Sequence, residues 1–107
     1  MPPKLRYELY IPTYYNDGSP IEPKKHREIK NKIINEFGAI SVHPGSISGT
    51  WINPNNSKYY YDNNFKLEVT VEKVDSNEEF FEKFKDFLKE YLQQQQIYII
   101  CTEVIQV

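Results

Sequence analysis

The sequence predicts an α+β sandwich, in which one four-stranded antiparallel sheet carries two helices on one face. Three observations predict this class. Residues 5–11 alternate apolar and polar side chains, which is typical of a strand with one buried face. Later segments repeat that alternation, and two segments with apolar residues at helical spacing lie between strands. The chain has 107 residues, enough for one core, so we expect a single domain over residues 1–107.

The first strand is expected to end at Pro12, because proline has no N–H to donate to a neighbouring strand. A loop rich in turn residues follows. A helix is predicted from Pro23, since proline suits the first turn of a helix. Its apolar residues recur at helical spacing as far as Phe37, and Gly38 is placed to end it.

The middle of the chain predicts a long hairpin. A short strand over residues 39–42 is expected to resume over residues 47–52 after a bulge or bend. The next strand is predicted to begin at residues 58–61, to be interrupted at residues 62–64, and to resume over residues 65–71. The interruption is expected because Asp and Asn favour turns.

A second helix is predicted from Asp75 or Ser76 to about Gln94, with a wide apolar stripe of Phe and Leu residues. The last strand, residues 97–107, is apolar on both faces, and Cys101 within it is expected to be a small buried hydrophobe. The order is therefore β-α-β-β-α-β. Right-handed crossovers then give the ferredoxin-like βαββαβ architecture, with both helices on the same side of the sheet.

Composition excludes several classes of function. The net charge of −2 gives no electrostatic reason to expect a nucleic acid or an anionic membrane as partner. No apolar run approaches the roughly 20 residues needed to span a bilayer, and a soluble cytoplasmic protein is expected. One cysteine and two isolated histidines are too few for a zinc site, and Asp62 lies apart from the other acidic residues. No phosphate-binding loop is present, so we expect no cofactor and no metal.

Five short motifs occur along the chain: Leu9-Tyr10-Ile11-Pro12, Gly18-Ser19-Pro20-Ile21, Phe37-Gly38, Gly49-Thr50-Trp51 and Ile97-Tyr98-Ile99. They resemble those of a group of roughly hundred-residue bacterial proteins of unknown function. The resemblance implies the same α+β sandwich and implies no activity. A looser similarity to the small nuclease-like proteins of CRISPR adaptation rests on topology alone. Those proteins carry an acidic residue just after the first strand, where this chain has Pro12, Thr13 and Tyr14.

Aromatic side chains are the clearest candidates for a functional surface. Tyr and Trp at a protein surface commonly mark interfaces, although they could instead fill the two ends of a small sandwich. We also expect Tyr10, Tyr98 and Ile100 on the sheet face that the helices leave open. The leading hypothesis is a non-enzymatic binding module that self-associates, as a dimer, through this face and binds a protein or small ligand. The aromatic residues predicted in loops or at hairpin ends are Tyr14, Tyr15, Trp51, Tyr59, Tyr60 and Tyr61.

Two alternatives come from other classes of protein. One is a small dimeric ferredoxin-like isomerase or oxygenase in which His43 is the acid–base group and Tyr10 or Tyr14 donates a hydrogen bond. It requires a cavity that contains His43, which could equally be a partly exposed turn residue. The other is a nucleic-acid-processing protein. It requires the basic residues of the first helix to form one patch, and glutamates on the open face disfavour it.

Overall fold

Six elements follow one another in the predicted order, and the computed structural model describes all residues 1–107. The four strands form one antiparallel sheet in the order β2-β3-β1-β4. This confirms the predicted fold class. The elements are β1 (Pro3–Pro12), α1 (Pro23–Phe37), β2 (Ser41–Ile52), β3 (Tyr59–Glu72), α2 (Asp75–Tyr91) and β4 (Tyr98–Ile105).

The central strands β1 and β3 alternate between a buried face and an open face. Leu9 of β1 pairs with Leu67 of β3, and both side chains are fully buried. Their neighbours Glu8 and Glu68 also pair, and they point to the opposite side because successive side chains on a strand alternate. The buried residues of the two strands are Leu5, Tyr7, Leu9, Ile11, Phe65, Leu67, Val69 and Val71.

Both helices cover the same face of the sheet. Ile29 and Ile33 of α1 lie in the same cluster of 16 buried residues as Phe81 and Leu88 of α2 and the buried sheet residues. Gly38 ends α1 in the left-handed conformation, with a φ of 79°, and its N–H donates to the carbonyl of Ile34 at 2.7 Å. The open face of the sheet therefore remains without a covering layer.

The predicted interruption of the third strand at residues 62–64 is wrong, because β3 runs unbroken through them. Asn64 pairs with Pro12 on one side and with Ile47 on the other, so neighbouring strands hold this stretch extended. The Asn63 side chain accepts a hydrogen bond from the Ser48 hydroxyl at 3.1 Å. Cross-strand pairing here overrides the local turn preference of Asp and Asn. The predicted bulge in β2 is present, as a shift of register between His43 and Ile47.

The predicted ends of α2 need small corrections. The helix begins at Asp75 after Val74, without a side-chain cap, so the cap expected at Asp75 or Ser76 is absent. It ends at Tyr91 rather than near Gln94, because Gln93 has a positive φ of 53° that turns the chain away.

The expectation that Cys101 is buried is wrong, because its side chain is exposed. Cys101 pairs with the buried Tyr7 of β1, so both face the helical layer. Further along the same face of β4, Ile105 is 63% exposed. The helices therefore cover β1 and β3 but stop short of most of β4, which lies at the edge of the sheet.

The boundary of the core predicts the effect of two neighbouring substitutions in α1. Ile33 is fully buried and Ile34 is 40% exposed. Ile33→Ala should lower the free energy of unfolding by about 2–5 kcal/mol, because it leaves a cavity in the core. Ile34→Ala should change it by less than about 1 kcal/mol. Urea denaturation of both variants measures the difference, and equal losses would contradict this packing.

Candidate functional site

A cavity of about 510 Å³ lies at one end of the open sheet face. Strands β1, β2 and β3 and the segment 94–98 before and into β4 form its walls. Its aromatic lining consists of Tyr10, Trp51 and Tyr98, and its polar lining includes Asp62, Asn64, Gln94 and Gln96.

The register of the sheet brings these residues to one face. Tyr10 pairs with Tyr98 across β1 and β4, and their rings lie 5.2 Å apart at an angle of 44°. Trp51 pairs with Tyr60 across β2 and β3, and those rings stack at 4.9 Å. Asp62 follows Tyr60 by two residues and therefore points to the same side. Two aromatic pairs from four strands thus frame the cavity.

A hydrogen bond between two turns holds the far end of the β2–β3 hairpin in place. The buried side chain of Asn53 donates through its Nδ2 to the Oε1 of Gln95 at 3.2 Å. Its own Oδ1 accepts from the backbone N–H of Asn55 at 2.9 Å, which fixes the turn. The loop that carries Gln95 also supplies Gln94 and Gln96 to the cavity, so this bond ties two of its walls together.

Asp62 is the only carboxyl group that lines the cavity. Burial raises the pKa of this carboxyl above its ordinary value, and hydrogen bonding from the Trp51 side chain partly offsets that effect. Sequence analysis assigned Asp62 no function, because it placed the residue in a turn. Had the stretch been read as one strand, its period of two would have put Asp62 and Asn64 on the face that carries Tyr10.

All of the predicted aromatic residues except Tyr59 line one of two cavities. Tyr10, Trp51 and Tyr98 line the first cavity. A second hollow of about 250 Å³ adjoins it, and Pro12 and Asp62 line both. The candidate residues at this second hollow are Tyr14, Tyr15, Tyr60 and Tyr61.

Some candidates have other surroundings. Tyr15 packs partly against the core, and its hydroxyl donates a hydrogen bond to the Glu22 carboxylate. Tyr59 is 65% exposed and lines neither cavity. Ile100 also lies outside both, opposite Glu8 on the open face. The structure therefore gathers part of the predicted aromatic set and leaves the rest apart.

His43 lies on the open face outside both cavities. Its Nε2 is 3.1 Å from a carboxylate oxygen of Glu68, and half of its side chain is exposed. Neither cavity therefore contains the acid–base group that the enzyme hypothesis requires. No three His, Cys, Asp or Glu side chains come together in a way that could hold a metal ion.

Three lysines of α1 that the nucleic-acid hypothesis requires in one patch have separate contacts. Lys25 donates to the carbonyl of Tyr91 at 2.8 Å and lies over that residue's ring. Lys30 lies over the ring of Phe65, and Lys32 lies over the ring of Phe87. These ammonium groups therefore contact different parts of the molecule.

The fold and the cavity together define a ferredoxin-like α+β protein with a hollow on its open sheet face. Comparison with solved structures supports the fold. A phage SAM lyase in complex with S-methyl-5′-thioadenosine is 13% identical, with 94% of this chain and 81% of that one covered and a TM-score of 0.64. CutA1 from Oryza sativa is 11% identical, with 99% and 84% covered and a TM-score of 0.64.

These similarities show a shared fold. No family model matches the chain, and no curated protein matches it either. None of the helices has both the length and the apolar character required to cross a membrane.

The position of Asp62 predicts a pH-dependent signal from Trp51, the single tryptophan of the chain. Because burial raises the pKa of Asp62 above 3.8, tryptophan emission should change with a midpoint above that value. Asp62→Asn should abolish this transition, whereas Asp17→Asn, at an exposed turn, should retain it. Circular dichroism over the same range verifies that the protein stays folded.

The raised pKa of Asp62 also determines how this carboxyl group affects the stability of the protein as pH changes. When the pKa of a carboxyl group is higher in the folded state than in the unfolded state, the free energy of unfolding of the protein falls as pH rises through these two pKa values. Asp62→Asn should therefore be at least as stable as the natural protein at neutral pH.

A fluorescence transition that persists in this variant would show that another group near Trp51 titrates.

Proposed function

We propose that the protein is a small non-enzymatic binding module that holds a compact, partly flat ligand in the cavity framed by Tyr10, Trp51 and Tyr98. This proposal rests on the cavity. Its volume of about 510 Å³ lies within the range of about 300–1,000 Å³ that is typical of small-molecule sites. Its lining also has the usual composition of such sites, with aromatic walls and a few converging polar groups.

The chemistry of the lining favours a ligand with a flat ring. Trp51 and the Tyr10–Tyr98 pair offer aromatic surfaces against which a ring can stack. Asn64 and Gln96 carry amide donors and acceptors that can bind polar atoms at the edge of a ring. The phage SAM lyase complex holds a nucleoside of this shape on a similar fold, which makes S-methyl-5′-thioadenosine a reasonable first probe. Membership of the bacterial group and a cytoplasmic location remain predictions.

Calorimetric titration with S-methyl-5′-thioadenosine tests this proposal, and Trp51 emission gives a second readout. Binding should quench or shift the emission, since the indole lines the cavity. Tyr98→Ala should weaken binding by about fivefold or more, because one stacking partner is lost. Tyr59→Ala is the matched control and should leave affinity unchanged, since Tyr59 lines neither cavity.

Two results would count against the proposal. One is the absence of binding by this nucleoside and by a panel of other small heteroaromatic compounds. The other is binding that Tyr98→Ala and Tyr59→Ala weaken equally.

We further propose that the protein self-associates along β4. This edge strand contains neither proline nor lysine, the residues that commonly prevent edges from pairing. Tyr98, Ile100 and Val104 form an apolar strip on its open face, as the pairing with β1 places them. Cys101 and Ile105 are exposed on its other face, so a second copy could bury apolar surface on both sides.

Sedimentation velocity over a range of concentrations tests self-association. The natural protein should be dimeric, and Ile100→Lys should make it monomeric by placing a charge on the strip. Ile34→Lys adds the same charge to an exposed position on α1 and should leave the dimer intact. A monomer at every concentration would overturn this part of the proposal, as would an unchanged Ile100→Lys dimer.

A further inference from the structure

The charged group and the aromatic ring faces that line the first cavity, the one framed by Tyr10, Trp51 and Tyr98, are all negative toward a ligand. Asp62 is its only carboxyl group, and no Lys, Arg or His side chain lines it. The faces of aromatic rings carry negative partial charge, so Tyr10, Trp51 and Tyr98 add to the effect of the carboxylate. Such a lining attracts positive charge and repels phosphate and carboxylate groups.

Asp62 has no cationic partner within the chain. None of the ion pairs of the structure includes it. Two cations on the same face have other partners, since Arg6 lies between Glu8 and Glu68, and Lys66 lies 3.8 Å from Glu8. A half-buried carboxylate without a counter-charge is unfavourable, and a bound cation would remove that cost.

We infer that the ligand of this cavity carries a positive charge of the ammonium or sulfonium type, recognised by Asp62 and the aromatic rings around it. This inference rests on the proposed ligand-binding function and specifies the class of ligand. Asp62 would supply the counter-charge. Trp51 would contact the cationic group through its ring face, because tryptophan gives the strongest cation–π interaction. The carboxamides of Gln94 and Gln96 would bind neutral polar parts of the same ligand.

The positions of the lining residues support the roles given to Asp62 and Trp51. Asp62 and Trp51 are diagonal neighbours on the open face, because Gly49 pairs with Asp62 and Trp51 pairs with Tyr60. A cation beside the Asp62 carboxylate would therefore also lie within reach of the Trp51 ring. Tyr98 is 63% exposed and stands at the opposite, open side of the cavity, where an uncharged part of the ligand could lie.

Paired calorimetric titrations test the charge of the ligand. Choline is compared with its neutral isostere 3,3-dimethylbutan-1-ol, in which carbon replaces the ammonium nitrogen. Choline should bind about tenfold more tightly than the isostere, the size expected of a partly desolvated cation–π and ion pair. Asp62→Asn should remove most of this preference, because it weakens the binding of choline far more than that of the isostere. Asp17→Asn, at an exposed turn, is the matched control and should behave like the natural protein.

Salt dependence provides a second test on the unmodified protein. Choline affinity should fall as ionic strength rises, whereas the affinity of the isostere should not. Equal affinities for the pair, or a preference for the isostere, would overturn the inference while leaving a neutral-ligand site in place. Binding of S-methyl-5′-thioadenosine without any binding of choline would overturn it in the same way. If neither these probes nor the heteroaromatic panel bind, the proposed function fails as well.

Discussion

The antiparallel register between β1 and β3 is the constraint on which the rest of the molecule depends. It sets Leu9 opposite Leu67, both fully buried, and it sets Glu8 opposite Glu68 on the other face. A slip of one residue would exchange these two faces, because side chains along a strand alternate with a period of two. The same alternation puts Tyr10 on the open face, where the pairing of β1 with β4 sets it beside Tyr98. The buried core and the open face on which the cavity lies thus both depend on this pairing.

Sequence patterns predicted those parts of the fold that depend on periodicity. The alternation in residues 5–11 gave the buried face of β1, and the position of Gly38 gave the end of α1. The predicted break at residues 62–64 is wrong because turn preference is a local property, which takes no account of strands that pair on both sides. Pro12 and Ile47 hold Asn64 extended, and neither is near it in sequence. That single error also hid Asp62 from the candidate site, since residues of a turn have no assigned face.

The exposure of Cys101 shows a second limit of sequence patterns. An apolar strand predicts burial, but burial depends on where the helices lie across the sheet. Here the helical layer covers β1 and β3, and Cys101 lies beyond it although it pairs with the buried Tyr7. Apolar residues that a monomer leaves uncovered at an edge strand favour association, which is the physical basis of the proposed β4 contact.

The cavity depends on a part of the sheet that has little support from the core. β1 pairs with β3 only as far as Pro12 and Asn64. The Thr13 N–H adds one hydrogen bond to the carbonyl of Asn63, and beyond that point the strand partner of β3 is β2. Two-stranded ribbons are marginally stable by themselves, so the contact between Asn53 and Gln95 has a large share in holding this end of the hairpin. A ligand that contacts Trp51 on the hairpin and Tyr98 on β4 would join the same two parts. Since binding stabilises the conformation that binds, such a ligand would protect the hairpin from local opening more than it protects the core.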